Sequence, residues 1–164
     1  MSNDALPSNR PHVLVIGAGL LAATFDIVFA CVFWAIKSAV PPERILQSVA
    51  AGILGETSFD GGALTAALGF VLHYLIMLLM ALTYYLVARH FHTLRRWPVL
   101  SGAAYGLLLY AVMNTVVVPL SNAGPTANDP LWITLSIAVH VLLIGIPIAL
   151  LAGRALAGPV PASA

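Results

Sequence analysis

The sequence has 164 residues, of which 60% are hydrophobic and 8% are charged, and its formal net charge is +1. A water-soluble domain carries about 25% charged residues, so this chain has too few charges to cover a surface that faces water. The near-neutral charge gives no reason to expect nucleic acid as a partner. A single cysteine, Cys31, excludes a disulfide framework within the chain.

Four apolar runs, at about 13–36, 63–88, 99–120 and 131–153, dominate the chain. A helix rises 1.5 Å per residue, so about 20 residues cross a bilayer core of about 30 Å. The sequence therefore predicts an all-α fold, a polytopic membrane four-helix bundle. Residues 13–154 would form one membrane domain between a disordered tail at 1–12 and a second tail at 155–164.

The first run contains Asp26, the only acidic residue in any of the four runs. An ionised carboxylate is costly at that depth, so Asp26 should face the bundle interior, stay protonated or have a partner. Small residues three or four positions apart surround it and predict a face that another helix approaches closely: Gly19, Ala22, Ala23 and Ala30.

The longest connection follows the first run, whose helix should end at Pro41 and Pro42. Residues 43–54 then have the apolar spacing of a short helix. At about 12 residues this helix is too short to span a bilayer, so the sequence predicts an interfacial or re-entrant helix in the first outer loop.

Each of the three later runs contains one polar candidate: His73, Asn114 and His140. Counted from the outer end of each predicted helix, Asp26, His73 and His140 lie roughly 15, 15 and 14 Å deep, and Asn114 roughly 9 Å deep. Inward side chains at one depth would meet in a bundle. Three nearby residues are candidates to support this layer: Tyr110, Ser136 and Met77.

The basic residues are unevenly divided between the two ends of the predicted spans. Five of them flank one side, whereas only Lys37 and Arg44 flank the other: Arg10, Arg89, Arg95, Arg96 and Arg154 form the larger group. The excess of basic residues predicts that both termini and the turn at 89–98 are cytoplasmic. The three tryptophans, Trp34, Trp97 and Trp132, lie near predicted span ends, as in aromatic belts.

Two kinds of cofactor would suit the polar layer. Two imidazoles and a carboxylate, from His73, His140 and Asp26, match the ligands of zinc, iron or manganese, with Asn114 as a fourth or supporting group. Alternatively, His73 and His140 would ligate a b-type haem axially, with Gly69 leaving room for the macrocycle. A protein without any cofactor is equally compatible with these residues.

Other interpretations need no cofactor. Asp26 and the histidines would form a proton relay or a site for a small solute or ion, because imidazole changes charge near neutral pH. The structural alternative is interhelical hydrogen bonding, in which Asn114 bonds backbone opened by Pro119 and Ser136 bonds within its own helix. A third reading is an accessory subunit whose homo- or hetero-oligomeric partner covers small-residue faces such as Gly102 and Gly106. No arrangement of nucleophile, base and orienting residue favours an enzyme.

Several segments carry a family resemblance. They are 45–54, the motif Ser58-Phe59-Asp60-Gly61-Gly62, the span containing His73, the stretch from Tyr110 to Asn114 with Pro119 to Ser121, and the span containing His140, Gly145 and Pro147. In these segments the chain resembles a family of small four-span bacterial inner-membrane proteins of unknown function. The resemblance implies a bacterial membrane location and no particular activity. Our leading hypothesis is a site for a small solute, ion or proton at Asp26, His73, Asn114 and His140.

Overall fold

The computed structural model describes residues 10–125 and 127–157, which contain helices and no strand. Its helices are α1 (Arg10–Ser38), α2 (Pro42–Leu54), α3 (Gly62–His90), α4 (His92–Arg96), α5 (Pro98–Leu120) and α6 (Pro130–Leu156). A 3₁₀ helix, Gly55–Phe59, joins α2 to α3. The prediction of four long apolar helices is confirmed, and these candidate spans indicate a multi-pass membrane protein.

The predicted tails are shorter than the sequence suggested. Residues 10–12, which we assigned to a disordered tail, belong to α1, and residues 155–156 complete the last turns of α6. A helix continues wherever its backbone hydrogen bonds are maintained, and neither segment contains a residue that ends it. The rest of both predicted tails, residues 1–9 and 158–164, lies outside the described residues.

Helices α1 and α6 form the centre of the bundle, because α1 packs against both α3 and α6, and α5 packs against α6. Successive long helices run in opposite directions, so the bundle has two ends. We call them the α2 end, where α1 and α5 finish, and the α4 end, where α3 finishes. Large apolar side chains cover the outer surface, for example Leu64 at 81% and Leu79 at 62% exposure.

The half of the bundle towards the α4 end has an alanine-rich core. Ala22, Ala23 and Ala88 have no exposed surface, and the larger side chains of Ile144 and Ile148 are fully buried among the helices as well. Alanine lets helix backbones approach closely, which is how membrane helices gain packing contacts. This half of the molecule is therefore tightly packed.

Glycines join α5 to α6. A Cβ atom on Gly106 would lie 2.1 Å from the carbonyl oxygen of His140, and one on Gly145 would lie 2.1 Å from that of Gly102. Only glycine allows the two helices to come this close. The face of Gly102 and Gly106, which was a candidate surface for an oligomeric partner, packs against α6 of the same chain. Oligomerisation itself stays a prediction.

Both α5 and α6 contain a wide π turn, at Met113–Val117 and His140–Gly145. In each π turn a backbone N–H donates to the carbonyl five residues earlier, from Val118 to Met113 and from Ile146 to Val141. Each π turn ends just before a proline, which lacks an N–H and crowds the carbonyl four residues earlier. The wider turn accommodates the proline, so α5 continues past Pro119 to Leu120.

Helix α2 lies against the first turns of α3. The contact is close because a Cβ atom on Gly69 would lie 1.8 Å from the carbonyl oxygen of Leu46. At its other end, α2 is fixed to the segment after α5, since the backbone N–H of Asn122 donates to the Gly52 carbonyl at 3.0 Å. The short helix predicted at 43–54 is thus present, and its interfacial location stays a prediction.

Candidate functional site: a cavity between α1, α2, α3 and α6

A cavity of about 210 Å³ lies in the half of the bundle towards the α2 end. It brings together three of the four predicted site residues, Asp26 from α1, His73 from α3 and His140 from α6. Asn114 is not among its lining residues. Helix α2 completes the wall, as the sequence did not predict, with Ile45, Ser48 and Val49.

Asp26 and His73 face each other across the cavity. The distance from Asp26 Oδ2 to His73 Nε2 is 3.9 Å, within ion-pair range but too long for a hydrogen bond. The His73 Nε2 atom instead donates to the carbonyl oxygen of Ala23 at 3.0 Å. Because a carbonyl only accepts, this bond places the hydrogen on Nε2 and leaves Nδ1 with the lone pair in the neutral ring. The Asp26 side chain keeps 23% exposure and is free to bind something else.

His140 has the opposite tautomer. Its Nδ1 atom donates to the carbonyl oxygen of Ser136, one turn earlier in α6, at 2.9 Å. The neutral ring therefore carries its lone pair on Nε2. The ring of Tyr110 in α5 packs edge to face against this imidazole, with 5.4 Å between the ring centroids and an interplanar angle of 83°. This contact restricts the orientation of the imidazole. The prediction that Tyr110 supports the site agrees with this contact.

The remaining predicted residues have different surroundings. Asn114 donates from Nδ2 to the Tyr110 carbonyl in its own helix, at 2.9 Å, and so stays outside the cavity. Met77 is 4% exposed and belongs to the apolar core. The Ser136 hydroxyl was predicted to bond within its helix, but this Oγ atom is buried without a hydrogen-bond partner beside the cavity. Its own carbonyl is used by His140 instead.

Trp34 and Trp132 also line the cavity, although the sequence assigned both to an aromatic belt. Their ring centroids are 5.3 Å apart. Trp132 also stacks on Phe29, with 5.4 Å between the ring centroids and an interplanar angle of 6°. An aromatic cluster therefore borders the cavity at the α2 end. A spacing of four residues could have revealed this: Asp26, Ala30 and Trp34 on α1, and Trp132, Ser136 and His140 on α6.

The geometry gives neither cofactor hypothesis support. Within residues 10–125 and 127–157, no three side chains of His, Cys, Asp or Glu are grouped so that they could hold a metal ion. The space at Gly69 that we expected to admit a haem macrocycle is filled by the backbone of α2. The Nε2 atom of His73, which would ligate the iron, is bonded to Ala23.

Comparison with known proteins does not identify a family for this chain. No family model, no curated protein and no solved structure matches it. The resemblance to four-span bacterial inner-membrane proteins therefore stays a prediction. A function has to be inferred from the cavity itself.

Proposed function

We propose that this protein spans a bacterial inner membrane four times and handles a small solute, an ion or a proton at the cavity. One observation carries the proposal: Asp26, His73 and His140 come from three different helices and line one cavity. Ionisable groups inside a membrane are costly and usually mark a functional site. The excess of basic residues at the α4 end favours an orientation with both termini in the cytoplasm.

The tautomers support proton transfer in particular. His73 Nδ1 and His140 Nε2 each carry a lone pair in the neutral ring, and Asp26 offers a carboxylate 3.9 Å from the His73 ring. Imidazole accepts and releases protons near neutral pH. Each of these three groups therefore offers a position at the cavity that can accept a proton.

The packing of the bundle supports entry from the α2 end. The Asp26 side chain is 23% exposed, whereas Ala22 and Ala23, one turn closer to the α4 end, have no exposed surface. A solute would therefore meet Asp26 from the α2 end and be stopped by the alanine-rich core. Transfer across the bundle would require that core to open.

Proton flux through proteoliposomes tests the proposal. Vesicles containing the purified protein and a pH-sensitive dye would be given a pH gradient, and the internal pH would be followed. We expect flux above that of empty vesicles, and we expect Asp26→Asn to reduce it to the empty-vesicle rate, because the amide cannot exchange a proton.

Asp60→Asn is the matched control, because Asp60 is an exposed aspartate in the connection before α3. It should leave the flux unchanged. Equal flux from the Asp26→Asn protein and the unmodified protein would contradict a proton-handling role for the cavity.

A further inference from the structure

The chemistry of the cavity walls indicates which solutes they favour. Asp26 supplies a carboxylate, and Trp34 and Trp132 supply two indole rings. Among the described residues that line the cavity, none is a lysine or an arginine. The walls therefore offer a negative charge and the surface of two aromatic rings, and no lysine or arginine lines them.

The two basic residues near the α2 end are engaged elsewhere. Lys37 forms an ion pair with Asp129 and lies 5.8 Å from the centre of the Phe33 ring. Arg44 donates to the Phe59 carbonyl at 3.0 Å and lies over the ring of the same residue. Neither side chain lines the cavity, so neither compensates Asp26 there.

We propose that the cavity binds a small organic cation, a substituted ammonium group, with its charge at Asp26 and its alkyl groups against Trp34 and Trp132. This inference rests on the proposed function and names the solute class for the same site. Recognition of quaternary ammonium groups by aromatic rings is a known use of cation–π attraction. Alkyl substituents would also suit the apolar side chains of Ile27, Ile45 and Val49.

Size and polarity favour an organic cation over an inorganic one. A cavity of about 150 Å³ is enough for benzene, so 210 Å³ admits a small alkylammonium. A bare metal ion needs several converging ligands, and the described residues hold no such group. An anion would meet the Asp26 carboxylate, and no lysine or arginine is among the described residues that line the cavity to offset that charge.

A further polar group at the cavity has no partner within the described chain. Ser136 as a whole residue is 4% exposed, and its hydroxyl is buried and makes no hydrogen bond. A buried hydroxyl without a partner is destabilising, so a ligand that bonds it gains affinity. A cation that also carries a hydroxyl would have Asp26 as the partner of its charge and Ser136, on the wall of the same cavity, as the candidate partner of its hydroxyl. Choline has these features and serves as the probe.

The experiment compares choline with 3,3-dimethylbutan-1-ol, which has the same shape but no charge. Both would be titrated into the full chain in detergent while tryptophan fluorescence is recorded. Trp97 lies at the α4 end, so a Trp97→Phe background restricts the signal to Trp34 and Trp132. We expect saturable binding of choline, and binding of the neutral alcohol at least about tenfold weaker.

Two variants test whether choline binds at Asp26 and Trp132. Asp26→Asn should remove the preference for choline over the alcohol, because the shape remains and the charge is lost. Trp132→Leu should weaken choline binding, whereas Trp97→Phe should leave it unchanged. If Asp26→Asn fails to fold, the comparison of the two ligands on the unmodified protein still shows whether binding requires the positive charge of the ligand.

Three results would overturn the inference: no binding of choline, equal binding of both ligands, or choline binding that persists unchanged in Asp26→Asn. Its failure is distinguishable from failure of the proposed function. Asp26-dependent proton flux without choline binding would leave the site intact and refute only the solute class. Choline binding without any flux would make the cavity a binding site that does not move protons.

Discussion

Two serines inside the long helices differ in hydrogen bonding: the hydroxyl of Ser101 has partners, and that of Ser136 has none within the described chain. The Oγ atom of Ser136 is buried without a partner. The Oγ atom of Ser101 in α5 bonds the Tyr84 hydroxyl at 2.8 Å and donates to the Leu94 carbonyl at 2.9 Å. A buried polar group without a partner costs about 1–3 kcal/mol, whereas a typical satisfied hydrogen bond contributes about 1 kcal/mol.

Replacing each serine by alanine should therefore change stability in opposite directions. In the absence of ligand, Ser136→Ala should stabilise the protein by about 1 kcal/mol, because it removes an unsatisfied hydroxyl. Ser101→Ala should destabilise it by about 1 kcal/mol or more, because it leaves the Tyr84 hydroxyl without this partner. Denaturant unfolding in detergent would measure both. If both variants lost equal stability, the Ser136 hydroxyl would have to be satisfied by a bound molecule.

For single residues, the depth of a polar side chain along its helix could be predicted from the sequence. Counting along each helix gave similar depths for Asp26, His73 and His140, and the structure places all three at one cavity. Counting residues from the end of a helix gives the depth of a side chain along the helix, but it does not give the direction in which the side chain points around the helix axis. Asn114 was placed about one turn higher, and its side chain bonds its own helix because the Tyr110 carbonyl is within reach.

At the scale of the elements, α2 depends on a single glycine of α3. A Cβ atom on Gly69 would overlap the Leu46 carbonyl, which belongs to the backbone and cannot rotate away. We therefore expect Gly69→Ala to displace α2 and to destabilise the protein by about 1–3 kcal/mol. Unfolding in detergent would measure the loss, and faster tryptic cleavage after Arg44 would show that α2 has moved.

Gly153→Ala in α6 is the matched control, since a Cβ atom there would meet nothing within 4 Å. This variant should keep its stability or gain up to about 1 kcal/mol from the higher helix propensity of alanine. Equal behaviour of the two variants would mean that the contact between α2 and α3 contributes little.

The elements were predictable to different extents. Hydropathy located all four long helices, because a bilayer requires long apolar runs. The π turns before Pro119 and Pro147 were missed, since a proline alone does not say whether a helix ends, bends or widens. The packing of α2 against α3 could not be predicted, because it depends on the fit between Gly69 and Leu46, two residues far apart in sequence.

At the scale of the whole molecule, the ion pair between Lys37 and Asp129 joins the end of α1 to the start of α6. The hydrogen bond from Lys37, with the N–H of Trp132, holds the pKa of Asp129 below its ordinary value. A carboxyl with a lowered pKa in the folded state adds stability above its ordinary pKa of about 3.9. That stability is lost as the pH falls through the lower pKa of the folded protein.

We therefore expect the unmodified protein to be more stable than Asp129→Asn at about pH 6, and this difference in stability to be smaller at about pH 2.5, below the ordinary pKa of the carboxyl. Asparagine also caps a helix, so the comparison isolates the charge. Unfolding midpoints across this range would test it, with Asp60→Asn measured beside it as the variant of an exposed aspartate in the connection before α3. A difference that is the same at both pH values would show that Asp129 does not stabilise the fold through its charge.

The central pair of helices, α1 and α6, has a consequence for how the protein is made. They are the first and the last of the four long helices, yet they pack together and supply most of the cavity wall. A ribosome completes the N-terminal part first. Asp26 is therefore in place before the helix that carries Trp132, Ser136 and His140 exists. A nascent chain interrupted before α6 would therefore present this carboxylate with His73 beside it but without the cavity wall that α6 supplies.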